Sequence, residues 1–216
     1  MNLVKNFMRK ISSRFERKSF ALHELDKKLE PYLRFKGGFF IEVGANDGVR
    51  QSNTLYFEKY HGWKGLLVEP IPELAGQCIQ NRPNCMVDNC ALVATNYPED
   101  TVEMVYCNLM SVVRGGLGSE EEEGLHIQGG KRYLRDDEQV YNVSVPARTL
   151  SKVLEKHQIE QIDLLSLDVE GYEAQVLKGL DLERYYPEFM LIEVRDEDEI
   201  SSIISQHYEL LEKLNA

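Results

Sequence analysis

The strongest constraint on this chain is a set of short strands that are apolar at consecutive positions. "FFIEV" (39–43), "KGLLVEP" (64–70), "IDLLSLDVEG" (162–171) and "FMLIEV" (189–194) do not alternate apolar with polar residues. A strand that is greasy on both sides must be covered on both sides, which is the condition of a parallel sheet flanked by helices. The segments between these strands read as helices. They are "TLYFEKYHG", "IPELAGQCIQN", "TLSKVLEKHQ", "YEAQVLKGL" and "DEISSIISQH". Such alternation predicts an α/β fold with a mostly parallel, doubly wound sheet. "NCMVDNCALV" reads as a third strand region. "TVEMVYC" and "YNVSVPAR" read as strands flanking an irregular segment. "YELLEKL" continues the last helix or forms a final strand.

The 216 residues suffice for one domain, expected over residues 37–216, with residues 1–36 as a helical extension. Residues 2–18 place Leu3, Val4, Phe7, Met8, Ile11 and Phe15 on one helical face and basic residues on much of the rest. Such a helix either touches an anionic membrane surface peripherally or packs on protein. No apolar run reaches the roughly 20 residues of a membrane span, and no secretory signal is visible. Cys78, Cys85, Cys90 and Cys107 form no CxxC pair and read as reduced buried thiols of a cytoplasmic protein. The net charge is −11. Residues 1–36 hold ten Lys or Arg against four Asp or Glu, a balance of +6, which leaves −17 for the remainder. That surface argues against nucleic acid as a partner, which requires a basic footprint.

Parallel sheets bind ligands at the carboxyl ends of their strands. The turn Gly44-Ala45-Asn46-Asp47-Gly48 follows "FFIEV" at such an end. Gly44 leaves room for close approach and Gly48 lets the chain turn, while Asn46 and Asp47 tolerate turn geometry. The turn is not the GxGxxG of a dinucleotide site, and no GxxxxGK follows. The next strand ends in Glu69, whose two oxygens match a ribose diol. Together these features describe a nucleoside cofactor with no pyrophosphate to cradle, such as S-adenosylmethionine.

"DLLSLDVEGYEAQVLKG" delivers Asp168, Glu170 and Glu173 within six residues of a buried strand, and "FMLIEV" ends with Glu193 ahead of Arg195. Carboxylates at strand ends are tolerable facing a wet cleft and costly when buried unpaired. Close carboxylates raise one another's proton affinity, which suits a general base. Asp168, Glu170 and Glu193 equally suit a divalent cation such as magnesium or manganese, bound through oxygen. Glu173 reads as a charge at a helix amino terminus. Residues 114–139, rich in glycine and acid, read as a mobile lid or a disordered surface loop. His126 within it is a remote candidate base, and Tyr172 a candidate for the acceptor pocket.

"FIEVGANDG", "LLVEP", "NCALV", "IDLLSLDVEGYEAQVLKG" and "LIEV" occur in that order. This succession resembles the FkbM family of S-adenosylmethionine-dependent methyltransferases over roughly residues 38–195. The resemblance implies a Rossmann-like class I methyltransferase fold and O-methylation of a hydroxyl, often on a sugar, glycan or similar natural product. It also implies site residues. Glu42, Gly44, Ala45, Asn46 and Gly48 fall in the cofactor turn, and Glu69 is the ribose acid. Asp88 and Ala91 fall where the adenine is contacted, Ser111 in a serine-bearing stretch near the active site. Asp168 and Glu170 face the methyl group. Glu42 stands where Asp is commoner. The family fold usually closes with a strand hairpin, which the chain after residue 208 leaves short or replaces. A non-catalytic interaction module on the same fold is the rival reading.

Overall fold

The computed structural model describes residues 17–214. Most of the helix expected over residues 2–18 lies outside them. Nine strands run along the described chain: β1 Phe39–Val43, β2 Lys64–Val68, β3 Met86–Asp88, β4 Ala91–Leu92, β5 Thr101–Tyr106, β6 Val112–Val113, β7 Tyr141–Arg148, β8 Leu164–Leu167 and β9 Phe189–Ile192. Five of them form the main sheet, in the order β3-β2-β1-β8-β9, with every pairing parallel. The first three strands step outward on one side of β1, and the last two step outward on the other.

Both faces of this sheet are buried, which explains the unbroken apolar runs. Ile41, Val43, Leu66, Val68, Leu165 and Leu167 pack on one face against Leu150, Val153, Leu154, Val176 and Leu177. Phe40, Leu67 and Leu164 pack on the other against Leu29, Leu33, Phe57, Trp63 and Cys78. Each fully buried large apolar side chain contributes about 1.5–3 kcal/mol over an exposed one. Leu29 and Leu33 belong to the described part of the amino-terminal segment, so the boundary expected at residue 36 falls inside a packed cluster. Asp26 anchors that segment by accepting hydrogen bonds from Ser19 Oγ at 2.6 Å and from the N–H groups of Phe20, Ala21 and Lys27. No helix of the described residues is long and apolar enough to cross a membrane. All four cysteines are free thiols.

Register matters most for function. Val43 pairs with Val68 on one side and Leu167 on the other, and Leu167 pairs with Ile192. The next residues along these strands are Gly44, Glu69, Asp168 and Glu193. One glycine and three acids therefore leave the sheet at a single level. Asp88 is one step lower, opposite Val68 within the ladder.

The expected third strand region divides at Asn89–Cys90. β3 stays in the main sheet, while β4 joins a second sheet of order β4-β7-β5-β6. "TVEMVYC" and "YNVSVPAR" form its antiparallel centre, with Val102 opposite Val145. This sheet packs Val102, Met104 and Val145 on Ile71 and Leu74. The alternating burial of β5 is what one half-covered face requires.

Residues 114–139 differ from expectation, because they contain a helix, Glu120–Gly130. Ser119 caps it, its Oγ accepting from Glu122 N at 3.2 Å, and four glutamates fill the first turn, where the helix dipole favours negative charge. Three helix-weakening glycines and a weak apolar period mask this helix in the sequence. No strand forms over the described residues 205–214.

The loop after β1 is held by a buried charge network. Glu42 accepts from Ser52 Oγ at 2.9 Å, Asn53 N at 2.8 Å and Thr54 Oγ1 at 2.6 Å. Arg82, fully buried, donates to Gly48 O at 2.8 Å and pairs with Glu58. Its guanidinium lies 3.6 Å from Glu42. Removing one partner from such a network leaves buried charge uncompensated. Arg82→Met is expected to lower unfolding stability by about 3–5 kcal/mol, read by urea denaturation. An unchanged midpoint would show that the network is dispensable.

Candidate functional site

A cavity of about 340 Å³ lies over the carboxyl ends of β1, β2, β8 and β9. That volume is in the range of small-molecule sites. Its place is where the chain's direction of travel across the sheet reverses, as ligand sites in open α/β sheets require.

The glycine turn forms one side. Gly44 (φ +82°), Asn46 (φ +50°) and Gly48 (φ +79°) all have left-handed backbones. Any Cβ at Gly44 would overlap the carbonyl oxygen of Asp168. The glycine therefore serves first to let the end of β1 lie against the end of β8. Asn46 tolerates its conformation as few residues do. Its N–H donates to Glu69 Oε2 at 2.8 Å, and its carbonyl accepts from Cys78 Sγ. Ala45 points into the core rather than the cavity. Gly48 packs against Arg82 and Cys78.

Glu69 lines the cavity and is almost fully buried. One oxygen accepts from Asn46 N, the other from Ile71 N at 2.9 Å. Burial pushes its carboxyl up to about 7, against the pull of those two N–H groups. Val68, Ala91, Leu92 and Met104 provide a narrow apolar wall beside it.

Two expected cofactor residues have other roles. The Glu42 carboxylate is committed to the loop network and does not line the cavity. Asp88 is turned away, its Oδ2 bonded to Lys156 Nζ at 2.6 Å and His157 Nε2 at 2.8 Å. Those partners hold its carboxyl below the ordinary range in spite of burial. The cause is register, since Asp88 belongs to the ladder and not to the row above it. Ser111 reaches the cavity wall, but its hydroxyl donates to Asn108 O at 2.8 Å and accepts from Cys107 N at 3.0 Å.

The acids after β8 and β9 gather at the other end. Asp168 and Glu193 both face the cavity, are exposed to solvent, and lie with oxygens within 4.8 Å of each other. Burial of the carboxyl first, then the charges of Glu193, Glu170 and Glu173, raises the proton affinity of Asp168. Glu170 (φ +59°) pairs with Arg195 Nη2 at 2.7 Å. Burial, then Glu193, still lifts its carboxyl to about 7, with Arg195 opposing.

The expected metal trio changes membership. Asp168, Glu173 and Glu193 each place an oxygen within 4.8 Å of the others, whereas Glu170 turns to Arg195. Glu173 Oε1 accepts from Val169 N at 2.9 Å and Gly171 N at 3.1 Å, organising the turn into the next helix. The oxygen donors are of the right kind for a hard cation.

His126 lies beside the acids without lining the cavity. On the capped helix, it bonds Met110 O at 3.0 Å and lies 3.7 Å from Glu170. Burial depresses its proton affinity, which leaves the ring a neutral donor. Tyr172 lines the cavity as expected. Arg50, Asn108 and Tyr133 also line it. They carry no motif, and the fold brings them together from three separate segments.

No curated protein and no solved structure matches the chain. The family model described as the methyltransferase FkbM domain matches residues 42–216, which covers both the glycine turn and the two acidic strand ends. The chain is a member of the FkbM methyltransferase family.

Proposed function

We propose that the protein is an S-adenosylmethionine-dependent O-methyltransferase of Rossmann-like class I fold, acting on a hydroxyl of a sugar, glycan or similar natural product. One observation carries the reading. Register puts Gly44, Glu69, Asp168 and Glu193 in one row around a single cavity. The residues present fit the cofactor: an acid at the end of β2 for a ribose diol, an apolar slot beside it for a purine, and clustered carboxylates at the far end for a sulfonium. When bound, the sulfonium supplies an electrophilic methyl group. The protein's task is to hold the acceptor oxygen in line with it and to accept the hydroxyl proton.

The Asp168–Glu193 pair and Glu170 are the proton acceptors within reach. Burial and the neighbouring acids raise the proton affinity of all three, and Glu170 is balanced near its midpoint at neutral pH. His126 is committed to Met110 O. The neutral acceptor class agrees with a cavity whose acids outnumber its cations. Four unpaired thiols support a cytoplasmic setting, and the −11 net charge supports no role for nucleic acid.

Calorimetric titration with S-adenosylhomocysteine tests the cofactor reading. Hydrogen bonds to a charged group are worth about 1.5–3 kcal/mol, so Glu69→Ala is expected to weaken binding by about 10- to 100-fold. Unaltered binding would remove Glu69 from the ribose role, and a folded wild-type protein that binds nothing would favour a non-catalytic module.

The base assignment predicts the pH profile. A base works ionised, and these carboxyls are raised. Activity on a sugar acceptor should therefore climb with pH through about 7 instead of near 4–5. Arg195→Met removes a cation that favours ionisation of Glu170, so its rising limb should move to higher pH. Asp168→Asn should lower kcat by about 10²–10⁴-fold. A flat profile from pH 5 to 9 would overturn the assignment. Assays with and without magnesium or manganese decide whether a cation joins the acids.

A further inference from the structure

A second hollow, of about 420 Å³, lies outside the cavity described above. It is lined by the helix Pro72–Asn81, the paired ends of β5 and β7, and residues 137–140. Tyr106 and Tyr141 are the last pair of the β5–β7 ladder, and their rings stack with centres 4.7 Å apart and planes 25° apart. Tyr106 is buried, whereas Tyr141 keeps 37% of its surface exposed. Tyr106 covers one face of the Tyr141 ring, so the exposure belongs to the rest of that ring. The Tyr141 hydroxyl donates to Glu73 Oε2 at 3.0 Å. Stacked on one side and tied at its tip, the ring is a fixed aromatic plate open to solvent.

Polar side chains surround the plate. Glu73 and Gln77 stand one turn apart on the helix and share a face. Asp137, Glu138 and Gln139 come from the segment that leads into β7. Among the described residues, the amides of Gln77 and Gln139 and the carboxylate of Asp137 have no hydrogen-bond partner, so they are available to a ligand. Glu138 is committed. It accepts from Arg135 N at 2.9 Å and from Asn108 Nδ2 at 2.7 Å, and it lies 3.9 Å from the Arg135 guanidinium. Asn108 also lines the main cavity, so the hollow and the cavity share a wall. No lysine or arginine of the described residues lines the hollow.

We propose that this hollow is a saccharide-binding site separate from the main cavity. A pyranose presents a face of C–H bonds, which packs on an aromatic ring, and a rim of hydroxyls, which both donate and accept. The Tyr141 plate meets the face. Asp137 and Glu73 accept from hydroxyls, and the amides of Gln77 and Gln139 donate and accept. The volume is that of a small-molecule site. An anionic ligand is opposed by three carboxylates. A bare cation has no use for the two amides, and two of the three carboxylates are already hydrogen-bonded. The site goes beyond the methyltransferase reading and does not depend on it, because a sugar held here needs no cofactor.

Saturation-transfer NMR on the full chain, without cofactor, tests the site. The probes are the methyl pyranosides of glucose, galactose, mannose, fucose and N-acetylglucosamine. Transfer to the ring protons of at least one probe is expected. Tyr141→Ala should weaken its binding by about fivefold or more. Tyr141→Phe keeps the plate and loses only the bond to Glu73, so it should stay within about twofold of wild type. Gln77→Ala removes one free amide from the helix surface and should weaken binding by about twofold or more, with the unfolding midpoint unchanged. Absence of transfer to every probe would overturn the site. Binding undiminished in both Tyr141→Ala and Gln77→Ala would overturn it as well, and loss in Tyr172→Ala would then place the sugar in the cavity alone. A chain that binds S-adenosylhomocysteine but no sugar loses the hollow and keeps the cofactor reading. The opposite result removes only the cofactor reading.

Discussion

The site depends on the close approach of two parallel strand ends. Gly44 lies so near the carbonyl of Asp168 that no side chain fits between them. This contact lets the turn after β1 fold over the neighbouring strand end instead of projecting away. It brings Glu69 on one side of β1 within one cavity of a carboxylate cluster on the other. A larger residue at position 44 would separate the two halves.

Rigidity behind the turn is supplied by charge. Glu42 and Arg82 are buried, and each is surrounded by groups of the loop 48–54. A buried ion pair is a poor source of net stability compared with apolar packing. Its value here is geometric, because most of its partners are directional hydrogen bonds to one loop. The same loop carries Arg50, so the network that uses Glu42 internally also fixes part of the cavity wall.

Carboxylates in the cavity follow a different rule. Burial and mutual repulsion raise Asp168, Glu170 and Glu193. Glu170 is paired with a guanidinium, while Asp168 and Glu193 face the open cavity. Glu173, one turn further on, is spent on backbone amides. Four acids that look equivalent along the chain thus differ in their partners. A site rich in acids near neutrality can accept a proton without becoming permanently anionic.

The sequence by itself determined the parallel sheet, since strands apolar on both sides have only one common way to be covered. It also determined the site's principal parts, because a glycine turn and three acids at strand ends are local features. Tertiary structure decided which acids face the cavity. Glu42 and Asp88 read like their neighbours in sequence, yet packing assigned one to a loop and the other to Lys156 and His157. The helix Glu120–Gly130 was hidden because its stability comes from a serine cap, the dipole and contacts to residues 107–110, and hardly from apolar periodicity. Arg50, Asn108 and Tyr133 were invisible for a related reason. They line one cavity from segments distant in sequence, and only the folded chain brings them together.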